Sequence, residues 1–361
     1  MLTYKIPLVP GPTRVPERVH RAYLIDYASS DLEPEYCQLY ADVQSQLRTI
    51  LSTNNQIALM TGEGMIALWG ALKSCVQPDE RVLAISTGVF GHGIGDMASA
   101  IGAQVRWVEF GYDEIIQPAR VEEAIREFRP KMVTAVHCET PSGTLNPVAQ
   151  VGALKHQYGV PLYYVDAVSS AAGTPVLTDE WSIDLCLIGT QKALSAFPDL
   201  AAVAISEVAW EIIAQANYPG YDALLPYRDA LEKRWFPYTP AWASLSALHE
   251  ACNIVLDEGL EQVYARHLQV AQHCRDRVRA LDLSLYPVAE TACSPTVTAL
   301  KVPEFLEWEE LNQRLRQHSM GVGGSLGPLA GKVFRIGHMG SQADMTLVDQ
   351  GIDTLAQVLT S

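Results

Sequence analysis

An acid closes one apolar run of this chain, and a lysine follows the next. Leu162-Tyr163-Tyr164-Val165 stops at Asp166, and Asp184-Leu185-Cys186-Leu187-Ile188-Gly189 stops at Thr190-Gln191-Lys192. Both runs are short and apolar on both alternations, the pattern of strands covered on both faces in a parallel sheet. Ligands of such sheets gather at the carboxyl ends of the strands. Asp166 and Lys192 stand 26 residues apart and enter one crevice if their strands are neighbours. Pyridoxal chemistry requires this combination: a carboxylate to hold a proton on a pyridine nitrogen, and a lysine to form a Schiff base with an aldehyde. Once released, Lys192 is also the natural general base for the proton shift. Alone, Asp166 reads as a helix cap and Lys192 as a solvated amine. Their pairing on successive strand ends is what points to chemistry.

Other residues could complete such a site. Gln56 to Met60 reads as a strand, and Thr61-Gly62-Glu63-Gly64 turns it into a helix over 65–75. Free backbone N–H groups at that helix end make an anion seat. The strand 81–86 leads into Thr87-Gly88-Val89-Phe90-Gly91-His92-Gly93, where Phe90 is placed to stack on a flat ring. The strand 132–137 leads into Cys138 to Pro147, and the hydroxyls of Thr140 and Ser142 are candidates for a phenolic oxygen or a carboxylate. Arg335, before Gly337-His338-Met339-Gly340, is a candidate clamp for a substrate carboxylate.

The elements that must position these residues alternate strand and helix, which predicts an α/β fold with a largely parallel sheet. Further strands are expected at 104–108 and 201–205, with helices over 35–51, 118–128 and 149–157 and one starting at 206–207. The proline-rich residues 1–17 predict an extended arm. The aromatic, irregular stretch 217–240 reads as functional or interfacial. A long helix over roughly 244–280, broken at Gly259, carries the change of domain. Strands near 283–286, 296–302 and 333–336 and helices over 307–317 and 342–358 predict a small α+β domain. The expected division is an arm over 1–17, a large pyridoxal-binding domain over 18–257 and a small domain over 258–361.

Composition narrows the alternatives. The chain has 361 residues, 48% of them hydrophobic, with a net charge of −15. That balance argues for a core-rich globular protein and against a nucleic-acid or anionic-membrane footprint. No run of about 18 apolar residues suggests a membrane span. Seven cysteines, none in metal-ligand spacing, read as reduced thiols of a cytoplasmic protein with no metal site.

The chain resembles the class V aminotransferases of the fold-type I pyridoxal-phosphate superfamily. The resemblance runs nearly end to end through PGPT (10–13), TGEG (61–64), STGVFGHG (86–93), ETPSGTLNP (139–147), VDAVSS (165–170), GTQKAL (189–194), YTP (238–240) and RIGHMG (335–340). It implies a large, mostly parallel sheet of the seven-stranded type with helices on both faces, and a smaller C-terminal α+β domain. It places the Schiff-base lysine on Lys192, the pyridinium carboxylate on Asp166, the stacking aromatic on Phe90 and the carboxylate-binding arginine on Arg335. The implied cofactor contacts are Gly62, Glu63, Gly64, Phe90, Thr140, Ser142, Val168, Gln191 and Thr239. Members form homodimers, or dimers of dimers, with shared sites. Thr239, with Tyr227 or Tyr238, would be lent to the partner's site.

Two branches of the family compete. Alanine–glyoxylate and serine–glyoxylate enzymes bind the cofactor phosphate with a Ser-Gly turn, where this chain has Gly62-Glu63-Gly64. Pyridoxamine–pyruvate aminotransferase, whose vitamin substrate has no phosphate, carries a glutamate there. A carboxylate at a helix N-terminus occupies the anion seat and repels a phosphate. The expected molecule is therefore either pyridoxal 5'-phosphate as cofactor or unphosphorylated pyridoxal and pyridoxamine as substrates. Two positions depart from the pattern: Leu326 replaces a second arginine of the pyridoxamine branch, and Asp199 follows Pro198 where both branches prefer glycine.

Overall fold

The computed structural model describes residues 4–25 and 33–360. Its centre is a seven-stranded sheet. In chain order the strands are β1 (Gln56–Thr61), β2 (Arg81–Ser86), β3 (Gln104–Glu109), β4 (Met132–Val136), β5 (Leu162–Asp166), β6 (Leu185–Gly189) and β7 (Leu200–Ile205). They lie side by side as β1-β7-β6-β5-β4-β2-β3. All neighbouring pairs are parallel except those of β7, which runs antiparallel to β1 and β6.

The strand sequences explain why both faces are covered. Tyr163, Val165, Cys186 and Ile188 enter one buried cluster, together with Tyr40, Val43 and Leu47 of the helix Pro34–Ile50. Leu162, Tyr164, Leu185 and Leu187 enter another, with Leu68 and Leu72 of the helix Gly64–Cys75. Alternate residues of one strand thus feed opposite layers, as strand geometry demands. A strand buried on both sides has to be apolar throughout.

The helix Trp242–Glu258 packs on the large domain and Leu260–Arg279 continues into the small one. Gly259 lies between them at φ 87°, a conformation that glycine adopts without a Cβ penalty. The small domain is built on β8 (Val297–Lys301), β9 (Gly323–Gly324) and β10 (Val333–Gly337), ordered β8-β10-β9. The strand expected near 283–286 is not present; Leu285 makes a single bridge to Leu300. Polar Ser284 and the αL residue Asp282 beside it leave too short a run for a ladder.

The arm is stitched to the small domain and to the lysine loop. Ile6 and Pro7 pair in parallel with Met320 and Gly321, and Leu8 is buried in the small-domain core. Further on, the N–H of Thr13 donates to the Gln191 carbonyl (2.9 Å) and its hydroxyl to the Lys192 carbonyl (2.9 Å).

Candidate active site

Asp166 closes β5, and Lys192 lies three residues beyond the end of β6, its direct neighbour. The sheet therefore brings carboxylate and amine to one edge. Asp166 is buried, and its Oδ1 accepts the Val168 N–H at 2.9 Å. Oδ2 has no hydrogen bond among the described residues, so it can accept one from a ligand. Burial pushes the carboxyl up to about 6; the Val168 hydrogen bond and the Lys192 charge pull the other way.

Lys192 donates from Nζ to the Pro10 carbonyl at 2.8 Å. Burial, followed by the positive charge of Arg335, brings its amine down to about 8. A neutral nucleophilic amine is thereby within reach at ordinary pH. The arm closes tightly on it. A Cβ added at Gly11 would lie 2.6 Å from Lys192 Nζ, so only glycine passes there.

Arg335, in the middle of β10, is buried, and its Nε donates to the Gly324 carbonyl at 2.9 Å. Its Nη2 bonds the same oxygen. Nη1 has no hydrogen bond among the described residues and remains for an anion. Burial lowers the guanidinium to about 10, a cost that a bound carboxylate would offset.

Val168 packs between two glycines. Added Cβ atoms at Gly64 and Gly189 would sit 3.2 Å and 3.1 Å from its methyl groups. It forms an apolar wall beside Asp166, suited to the face of an aromatic ring. Phe90 is half-buried and belongs to the first turn of the helix Val89–Ala100, not to the loop before it. The Thr140 hydroxyl is hydrogen-bonded with the Ser169 hydroxyl.

Ser142 departs from the expectation of a ligand contact. It is fully buried, and its hydroxyl is spent on the Glu139 carbonyl (3.4 Å) and on Thr144 Oγ1 (2.9 Å). It holds the tight hairpin of Cys138–Glu139 and Thr144–Leu145 together. Thr239 is exposed on this chain, and Tyr238 stacks on Tyr221 with ring centres 3.7 Å apart. Tyr227 is buried against the core.

The residue at the anion seat is an acid, though its side chain accepts none of the helix N–H groups. Glu63 is the N-cap residue of the helix Gly64–Cys75, with Gly62 before it at φ 135°. Its side chain is exposed, but Oε2 lies 3.4 Å from Gln191 Nε2. Gln191 Oε1 is buried without a partner among the described residues. Asp199 locks this turn. Its carbonyl accepts the Gly62 N–H (2.8 Å) and its carboxylate the Ser244 hydroxyl (2.7 Å). An aspartate therefore serves here without needing a glycine's conformation. Leu326 is exposed, and the next residue, Gly327, approaches Val89.

A group the sequence did not single out is Glu139. It is completely buried, and its two oxygens accept the backbone N–H groups of Phe90 (3.2 Å) and Gly91 (2.6 Å). The available signal was an acid three residues beyond a short, mostly apolar strand, a position where an unpaired charge is costly. No cluster of His, Cys, Asp and Glu among the described residues could hold a metal ion. No helix among them is long and apolar enough to cross a membrane.

Residues 11–330 match the family described as Aminotransferase class-V. The pyridoxamine–pyruvate transaminase of Mesorhizobium japonicum is 32% identical over 87% of this chain and 81% of its own. The L-aspartate–glyoxylate aminotransferase of Paracoccus denitrificans is also 32% identical, over 97% of this chain and 90% of its own. Among solved structures, an alanine–glyoxylate aminotransferase from Nostoc sp. superposes with a TM-score of 0.95 at 30% identity, covering 99% of this chain and 96% of that one.

Proposed function

The chain belongs to the aminotransferase class-V family, and from that premise we propose that it passes the amino group of free pyridoxamine to pyruvate, giving pyridoxal and alanine. The observation that carries this reading is Glu63. An acid is the N-cap residue at the helix end where the phosphate of a pyridoxal cofactor would sit; its side chain accepts none of the helix N–H groups, but its Oε2 faces Gln191. A carboxylate accepts hydrogen bonds and so suits the hydroxyl of the unphosphorylated vitamin; it repels a phosphate. The pyridoxamine–pyruvate relative adds support by name.

The residues fit a pyridoxal ring. Asp166 has a free oxygen for a protonated ring nitrogen, and Val168 and Phe90 offer apolar surfaces for the ring faces. We assign the ring hydroxyl to Thr140, whose hydroxyl is bonded with that of Ser169, and the far end of the ring to Gly62, Gly64 and Gln191. When bound, the ring supplies an electron sink. Lys192 would serve first as the base toward the amine-bearing carbon of the vitamin and then as the nucleophile toward that carbon once it has reached the aldehyde level. Arg335 offers Nη1 to the carboxylate of the oxo acid and, by its charge, helps keep Lys192 neutral. Asp166 holds the ring nitrogen's proton, because its own burial makes a nearby cation favourable.

A second reading is a pyridoxal-phosphate enzyme that moves the amino group of alanine or serine to glyoxylate. The exposure of Glu63 favours it, since an exposed side chain is free to turn from the helix end. In either reading we take two copies to pair, with exposed Thr239 and the Tyr221–Tyr238 stack crossing into the partner's site. The unpaired cysteines suit a reducing cytoplasm.

The test uses the purified, dialysed protein with no phosphate cofactor added. Pyridoxamine and pyruvate should yield pyridoxal and alanine. A chromophore that survives dialysis with one phosphorus per chain, or turnover only after pyridoxal phosphate is supplied, would overturn the proposal.

A further inference from the structure

We propose that Glu139 is the positioning residue that fixes Phe90 over the bound ring, by acting as the anion cap of the helix that carries it. This rests on the reading that Phe90 faces a pyridoxal ring. The helix Val89–Ala100 has Gly88 as its N-cap residue and receives no side-chain hydrogen bond from it. Its first free N–H groups still need acceptors. They find them in the carboxylate of Glu139, which lies 49 and 48 residues away from Phe90 and Gly91 in sequence. Burial raises this carboxyl to about 7, and in its ionised form it is held both by these hydrogen bonds and by the helix dipole.

The local sequence makes room for that carboxylate. A Cβ at Gly88 would lie 2.5 Å from Glu139 Cδ, and one at Gly91 would lie 3.2 Å from Glu139 Oε1. The topology explains why Glu139 is the residue that reaches. β4 lies between β2, which leads to Phe90, and β5, which ends in Asp166. Glu139 sits in the hairpin just beyond β4, so it links the element carrying Phe90 to the loop carrying Thr140. It touches no reacting atom in this account, and its effect passes through Phe90.

Glu139→Gln is the direct test. An amide offers one acceptor and one donor where two N–H donors converge, so one bond is lost. Pyridoxal affinity, titrated by absorbance, should fall about tenfold, the scale of one buried charge-assisted bond. Hydrogen exchange at residues 89–92 should quicken, and the induced circular dichroism of bound pyridoxal should change as the ring loses its fixed neighbour. A folded Glu139→Gln protein with unchanged affinity and exchange would overturn the proposal.

Gly88→Ala tests it with Glu139 still present. Gly88 has φ 177°, extended backbone that alanine adopts freely, so the added methyl acts through Glu139. It should weaken pyridoxal binding in the native background and have no further effect beside Glu139→Ala. Equal loss in both backgrounds would also overturn the proposal. Phe90→Ala separates the two layers of reasoning. If that variant keeps full pyridoxal affinity, the reading of Phe90 fails; if it weakens binding while the Glu139 and Gly88 variants do not, Glu139 alone fails.

Discussion

Replacing Glu63 with serine should convert the preference of this site from pyridoxal to pyridoxal phosphate. The substitution removes one negative charge from the N-cap of the helix Gly64–Cys75, where the Glu63 side chain makes no cap hydrogen bond, and puts a good capping hydroxyl in its place. Two unit charges about 4 Å apart interact by roughly 1 kcal/mol in water and about 4 kcal/mol at the effective dielectric of a protein surface. A phosphate carries a charge of about −1.5 to −2 near neutral pH. Glu63 is exposed, so solvent screens it and the lower part of that range applies. Relief of about 1.5 to 3 kcal/mol follows, which is a gain of about ten- to a hundredfold in affinity for the phosphate. Pyridoxal itself carries no phosphate and should bind no better, and slightly worse if Glu63 accepts its hydroxyl.

The measurement is a pair of titrations, pyridoxal and pyridoxal phosphate, on native and Glu63→Ser proteins at low and high salt. The ratio of the two affinities is the readout, because it cancels any general loosening of the site. The shift in that ratio should shrink as salt rises, as screening requires. If the ratio is the same in both proteins, Glu63 does not occupy the phosphate seat and the assignment of the vitamin as substrate loses its support.

The amine of Lys192, brought down to about 8 by burial and then by Arg335, sets a pH dependence. Capture of added pyridoxal needs the neutral amine, so its rate should rise with pH and level off above about 8, not near the ordinary lysine value of about 10.4. Arg335→Met removes a positive neighbour and should move that midpoint upward; stopped-flow absorbance across the pH range reads both, and an unmoved midpoint would contradict the coupling. Gly11→Ala places a Cβ within 3 Å of three Lys192 side-chain atoms at a backbone φ of 103°, and should slow pyridoxal capture at least tenfold in a protein that remains folded by circular dichroism. Asp166→Asn removes the charge that holds the ring proton, and should lower turnover by about tenfold or more, the scale of a lost charge-assisted hydrogen bond, while far-ultraviolet dichroism stays native.

Much of the frame was legible because strand burial leaves a direct imprint. β5 and β6 are apolar at every position before their polar ends, and that alone placed Asp166 and Lys192 at one sheet edge. Gly259 showed the break between two helices for an equally local reason, its backbone conformation. What stayed hidden depends on partners far away in sequence. Pro10 and Gly11 close over Lys192 across 182 residues, and a proline-rich arm carries no periodicity that names its target. A loop hydroxyl such as that of Ser142 looks available to a ligand in the sequence, but the hairpin consumes it.

Glu139 shows the same limit more sharply, and it suggests how such residues can be found. Asp166 closes one fully buried strand and Glu139 lies three residues beyond another, and burial raises both carboxyls, to about 6 and about 7. By sequence context they are alike. They differ in what their oxygens meet. Both oxygens of Glu139 are taken by backbone N–H groups, whereas one oxygen of Asp166 has no hydrogen-bond partner among the described residues. A buried acid with every acceptor satisfied by the fold shapes the site, and one with an acceptor to spare is placed to meet a ligand. That distinction depends on how many N–H groups converge on a point, and it becomes visible only when β4, β2 and β5 are set side by side.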